Sequence, residues 1–139
     1  MISDNKIKHS LEVARLCAEL ASLECKDESY IQACFVMGLL HDIGYESGVF
    51  KGHSKKSVDY IDSAELYMED IKSAIANHGQ DIVFANRFSE ILNKADLQVN
   101  SKGERVCAFS RLLDIEARYG SDSSEYLNAQ SIAERLNLV

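Results

Sequence analysis

Proline is absent from all 139 residues, and apolar side chains recur at intervals of three and four almost throughout. No stretch keeps the alternation that a half-buried strand needs, so the pattern points to helices packed on helices. Six or seven are expected. The first covers about residues 4–23, where Ile7, Leu11, Ala14, Ala18 and Ala21 form one stripe. Val13, Leu16, Cys17 and Leu20 widen it and leave Lys8, Glu12, Arg15 and Glu19 on a narrow wet face, so this helix should be mostly buried. The second covers about 28–42; its later half is apolar on all sides, as in a central core helix, and Gly44 is placed to stop it. Further helices are expected over about 53–64, 67–77 and 85–99. Ser101-Lys102-Gly103-Glu104 reads as a capping box opening a sixth, which Gly120 closes. Residues 122–138, with Leu127, Ile132 and Leu136, make an amphipathic last helix that can pack within the chain or form a homodimer. The expected fold is an all-α, single-domain helical bundle over residues 1–139, without repeats or linkers.

Charge narrows the partners. Fifteen basic against 22 acidic residues give a formal net charge of −7. Nonspecific binding to nucleic acid or an anionic membrane needs a basic surface, so neither is expected. A phosphorylated small molecule stays compatible, because a few local cations and bound metals can reverse the field inside one pocket. The longest apolar run, Ala33 to Leu40 counting Gly38, falls far short of a membrane span. Met1 to His9 is polar except for Ile2 and Ile7 and does not read as a signal peptide, so a cytoplasmic location is expected. Cys17, Cys25, Cys34 and Cys107 form no Cys-x-x-Cys pair and are expected to be free, buried thiols in a reducing compartment.

The chemistry lies in a sparse set of residues. The four histidines are His9, His41, His53 and His78. His41 is followed by Asp42 in the run Gly38-Leu39-Leu40-His41-Asp42-Ile43-Gly44, and Asp96 ends the helical pattern Ile91-Leu92-Asn93-Lys94-Ala95-Asp96. Taken singly, each is more often an ordinary core or surface group. Together, in largely apolar patterns, they are costly to bury unless paired or bound to metal. Imidazoles and carboxylates suit iron, manganese or zinc, and six such groups exceed the needs of one tetrahedral ion, which points to two metals. Lys51, Lys55 and Lys56 flank His53, Arg87 and Lys94 lie between the last two candidates, and Lys102 follows them. Of these, Lys55 and Lys102 are favoured as phosphate contacts.

In the order His9, His41-Asp42, His53, His78, Asp96 the chain resembles the HD-domain superfamily of metal-dependent phosphohydrolases, over roughly residues 5–105. The two histidines between the doublet and the last aspartate resemble its binuclear branch, and the spacing from His78 to Asp96 is similar to that of the bacterial symmetrical diadenosine-tetraphosphate hydrolases. The resemblance implies one metal held by His9, His41, Asp42 and Asp96. It implies a second held by His53 and His78, with Asp42 and a water or hydroxide bridging the two. Asp42 is then the central catalytic group, and the metals are expected to be iron or manganese, with zinc also compatible. The implied substrate is a phosphate ester or anhydride of a nucleotide or another small phosphorylated metabolite. The chain departs from the family pattern at one place and from the dinucleotide hydrolases at two more. Tyr45 stands where a lysine is frequent, His78-Gly79-Gln80-Asp81-Ile82 lacks their arginine, and Val99-Asn100-Ser101-Lys102 keeps only a cation at its last place. Two other readings share the ligand set: an HD-fold di-iron oxygenase, and a noncatalytic nucleotide-binding regulatory module.

Overall fold

The computed structural model describes residues 3–42, 62–80 and 86–139. Among these residues six helices run in chain order: α1 (Asp4–Glu24), α2 (Glu28–Leu40), α3 (Met68–Asn77), α4 (Arg87–Asp96), α5 (Ala108–Tyr119) and α6 (Ser124–Arg135). Residues 62–66 are also helical and meet α3 at a turn on Tyr67. Among the described residues the only extended pairing is an isolated bridge between Val99 and Arg105, so the fold is all-α, as the periodicity requires. The helix expected over 53–64 lies mostly outside the described residues.

Side-chain caps set several helix starts. Ser3 accepts from the Lys6 amide, Asp27 from Ser29, Asn86 from Ser89 and Ser123 from Tyr126, each satisfying an amide with no partner inside its own helix. At the far end of α6, Asn137 takes a positive φ of 59°, Leu138 N–H donates to Ala133 O, and Asn137 N–H donates to Glu134 O. That is a Schellman closure with asparagine in the left-handed position.

The apolar faces meet in two clusters. The larger joins Val13, Cys17 and Ala21 of α1, most of the inner residues of α2, Ile71 and Ala74 of α3, and Phe88, Ile91, Leu92 and Ala95 of α4. Helix α2 sits at its centre and touches α1, α3 and α4. Its burial on many sides carries His41, one residue past its end, into the interior. On α1 the buried face is His9, Ser10, Val13, Ala14, Cys17 and Ala21, so the stripe is rotated from the expected one; Ile7 is exposed, and Leu11 and Ala18 are only half-buried. The smaller cluster joins Leu97 to Leu112 and Ile115 of α5 and Ala129, Ile132 and Ala133 of α6. The last helix thus packs within the chain, against α5.

The expected capping box at Ser101–Glu104 is corrected. Residues 101–103 form a turn, and α5 starts only at Ala108, with Cys107 as its cap residue. Asn100 wins this segment: its side-chain Oδ1 accepts from the amides of Lys102 and Glu104, and its own amide donates to Glu104 O. A local asparagine turn competes well with a helix start. Gly103 serves the turn with φ +83°, and a Cβ there would stand 2.7 Å from the Lys8 backbone. The turn therefore lies directly on α1, where Arg105 also binds Glu12 and Glu19.

A candidate metal centre at converging helix ends

Three helices direct their C-terminal ends at one point. His41 caps α2, His78 caps α3, and Asp96 is the last residue of α4. His9 reaches the same point from the second turn of α1. The partial negative charge at each helix C-terminus adds to the two carboxylates, a field that favours cations.

The imidazoles share one orientation. His9 Nδ1 lies 2.9 Å from Asn100 O, His41 Nδ1 2.5 Å from Gly38 O, and His78 Nδ1 2.5 Å from Ile75 O. A carbonyl only accepts, so each Nδ1 carries the proton and each Nε2 is turned into the site. There His9 Nε2 lies 2.9 Å from Asp96 Oδ1 and 3.6 Å from Asp42 Oδ2. His41 Nε2 lies 3.3 Å from Asp42 Oδ2 and 3.4 Å from Asp96 Oδ1, and His78 Nε2 lies 3.6 Å from Asp42 Oδ1. His41 is central, its ring 5.3 Å from each of the other two.

A neutral imidazole with its proton on Nδ1 points a lone pair at these carboxylate oxygens. That contact is repulsive unless a proton or a metal cation lies between. His41 Nε2 makes the point most sharply, being buried with no hydrogen-bond partner. Two ligand groups, His9/His41/Asp42 and His41/His78/Asp96, each keep their donor atoms within 4.8 Å of one another, so the cluster can hold a metal ion. The donor set is the nitrogen and oxygen mixture that suits iron, manganese and zinc. The two oxygens of Asp42 face different partners, Oδ2 toward His9 and His41 and Oδ1 toward His78.

In the absence of metal, protons do this work. Burial alone pushes Asp96 up, but the adjacent imidazoles of His41 and His9 outweigh that and hold it well below the usual carboxylate range. Burial likewise pushes Asp42 up, and its contacts with His78, His41 and His9 bring it below its ordinary value. For His41, burial lowers and the neighbouring Asp96 and Asp42 raise; the net is upward. Burial would depress His78 too, yet Asp42 and the Ile75 carbonyl lift it from the ordinary 6.5 to about 9. A group raised on folding stabilises fully below its unfolded pKa, and that stabilisation is lost as pH rises through the folded value. The melting temperature of chelator-treated protein is therefore expected to fall between about pH 6.5 and 9. His78→Gln should flatten that slope, and metal loading should abolish it, since a metal ligand needs no proton. An unchanged slope in His78→Gln would assign it elsewhere.

Asn93 ties the site together and was not evident from the sequence. Buried on α4, it accepts from the Gly79 amide through Oδ1 and donates to Ser89 O through Nδ2, holding the turn after His78 against α4. Asn77 instead donates back to Ser73 O within its own helix.

A cavity of about 540 Å³ opens onto the cluster and is lined by His9, Asp42 and Asp96 together with Lys6, Ser101, Arg111, Arg118 and Tyr119. A second, of about 330 Å³, shares Asp96, Arg111, Arg118 and Tyr119, and adds His78, Asn93 and the apolar Leu97, Ile115, Ala129 and Ile132. Lys102 is exposed on the 101–103 turn, and its neighbour Ser101 lines the cavity instead. Arg87 binds Glu24 at 2.6 Å and lies over the Tyr30 ring, at the opposite end of α4 from Asp96. His53, Lys51, Lys55, Lys56 and Tyr45 fall outside the described residues. The cavity's arginines come from α5, beyond the segment that carries the motif resemblance.

The sequence profile of the HD domain matches residues 7–136, nearly the whole chain, C-terminal helices included. The chain belongs to the HD-domain family, whose members are generally metal-dependent phosphohydrolases. No curated protein and no solved structure matches it significantly. All four cysteines are free thiols; Cys17 and Cys34 are buried as expected, whereas Cys25 is half-buried and Cys107, at the start of α5, is exposed, and no described helix is long and apolar enough to cross a membrane.

Proposed function

We propose that the protein hydrolyses a phosphate ester or anhydride of a nucleotide or other small phosphorylated metabolite, using two metal ions for which iron or manganese is the best fit and zinc is compatible. The observation that carries this reading is the set of three Nε2 atoms turned onto Asp42 and Asp96, with His41 Nε2 buried and unpartnered. His9, His41, Asp42 and Asp96 would hold one ion. His53 and His78 would hold the other, and Asp42 would serve both, a role supported by its two oxygens facing different imidazoles. When bound, two such ions supply a hydroxide nucleophile at neutral pH and draw charge from phosphoryl oxygens. The chain's own part is positional. Backbone carbonyls of Asn100, Gly38 and Ile75 hold the imidazoles in one tautomer. Asp42, lining the larger cavity, is a ligand presented to incoming substrate.

Elemental analysis of protein purified without chelator, paired with His53→Ala and followed by phosphate release from a panel of nucleotides and sugar phosphates, tests the reading. Close to two metals per chain, falling to one or fewer in the variant, with phosphate released by the wild type, is expected. Metal-reloaded wild type that releases no phosphate from any of them would sink it.

A further inference from the structure

The catalytic cluster is bordered on one side by cations that no part of the metal reading uses. Arg111 and Arg118 stand seven residues apart on α5, hence on one face of that helix, and both line both cavities. Arg111 is largely buried, and its Nε donates to the backbone carbonyl of Asp96 at 3.4 Å, which places its guanidinium beside a candidate ligand. Its Nη1 lies 3.3 Å from Asp114 Oδ2. Arg118 uses Nη2 to reach Ser101 Oγ at 2.6 Å, and its Nε is 3.8 Å from Asp114 Oδ1. One carboxylate thus serves two guanidiniums. Among the described residues Nη2 of Arg111 and Nη1 of Arg118 have no such partner. Lys6 adds a third cation to the wall of the larger cavity.

Charge bookkeeping indicates what this wall is for. Arg111, Arg118 and Lys6 outnumber Asp114 and Glu125, the acidic groups beside them, and leave a positive wall facing the site. The two ions of the reading above would more than offset Asp42 and Asp96, so the ligands would not consume the wall's charge. In a protein of net charge −7, a local surplus of that sign, added to the charge of the ions, favours a phosphate dianion over a monoanion. Guanidiniums also offer paired N–H donors in the geometry that phosphate oxygens accept.

We propose that Arg111 and Arg118 form a phosphate clamp that makes the site selective for a terminal, dianionic phosphate over a monoanionic diester. Arg111 is fixed beside Asp96, and Arg118, exchanging its Ser101 contact for a phosphate oxygen, closes the clamp. The proposal rests on the phosphohydrolase reading and extends it to a substrate class.

The test uses the metal-loaded 139-residue chain with inorganic phosphate as the probe, by isothermal titration calorimetry, for the wild type, Arg118→Ala, Arg118→Lys, Arg111→Lys and, as an exposed control that lines neither cavity, Lys72→Ala. Metal content and melting temperature are read on every variant. Arg118→Ala is expected to weaken phosphate binding about ten-fold or more with its metal retained, Arg118→Lys to recover part of that loss, and Lys72→Ala to bind as the wild type does. In parallel, the ratio of kcat/KM for p-nitrophenyl phosphate over bis-p-nitrophenyl phosphate should fall in both Arg118→Ala and Arg111→Lys. Wild-type phosphate binding and hydrolysis that persist unchanged in the folded, metal-loaded arginine variants would overturn the clamp and leave the phosphohydrolase reading standing. Metal-loaded wild type that neither binds phosphate nor releases it from any ester would overturn both.

Discussion

Asp42→Ala is expected to abolish hydrolysis while leaving the fold in place. The carboxylate touches three imidazoles through two oxygens, lines the larger cavity, and is the more exposed of the two site aspartates, so its removal empties the centre of the ligand set without opening the core. Loss of one preorganised charged group at a reacting centre costs about a hundred- to a thousand-fold, and a group that serves two ions, as proposed for Asp42, should exceed that range. Bound metal should fall below one per chain. Measured above about pH 9, where the His78 proton no longer stabilises the wild type, the melting temperature of the metal-free variant should stay within about 5 °C of metal-free wild type, because no buried apolar contact is removed. Elemental analysis, phosphate release and a thermal scan on one preparation check all three. Full activity in the variant would remove Asp42 from the mechanism, and a collapsed melting temperature would make its role structural.

Gly38→Ala should damage stability and site together. In a helix interior alanine is favoured over glycine by about 1 kcal/mol, so propensity alone predicts a gain. Tertiary contact reverses the sign. A Cβ on Gly38 would lie 2.7 Å from Ala14 Cα, 2.9 Å from Ala14 N and 3.0 Å from Val13 O. These are backbone atoms and cannot rotate away, so α1 and α2 must separate. Overpacking of this kind costs about 1–3 kcal/mol and sometimes more, which outweighs the propensity gain; a melting temperature lower by several degrees is expected. The wedge acts near both His9, on α1, and His41, whose Nδ1 donates to the Gly38 carbonyl, so metal affinity should fall about ten-fold or more as well. Thermal scans of metal-free protein separate the packing effect, and a metal titration measures the site effect. A variant as stable and as tight-binding as wild type would show that the helices part without consequence.

The linear chain made some of this legible for a definite reason. Helix spans follow from local periodicity, and α1, α2 and α3 end within about two residues of the expected places. α4 ends at Asp96, and the expected extension to 99 gives way to the turn and bridge that follow. The ligand candidates His9, His41, Asp42, His78 and Asp96 were readable because polar groups at the ends of apolar patterns are conspicuous, and the structure brings these five together. His53, the sixth, lies outside the described residues.

What local pattern could not supply was decided in three dimensions. Ser101-Lys-Gly-Glu104 satisfies the spacing of a capping box, yet Asn100 offers the same amides a closer acceptor and Gly103 accommodates the turn against Lys8. Spacing does not record which acceptor is nearer. The cation wall was invisible for a related reason. Arg111 and Arg118 look like the wet face of an ordinary amphipathic helix; Arg111 meets Asp96, and Arg118 lines the same cavities, only because Leu97, Leu112, Ile115 and Ile132 close α5 and α6 into one small core beside the site. The order of residues is enough to specify an all-α chain carrying one family's set of candidate metal ligands. That three helix C-termini converge on them, and that arginines from beyond the motif face them, emerges in three dimensions alone, because convergence depends on how close distant backbones can come rather than on the order of residues along one.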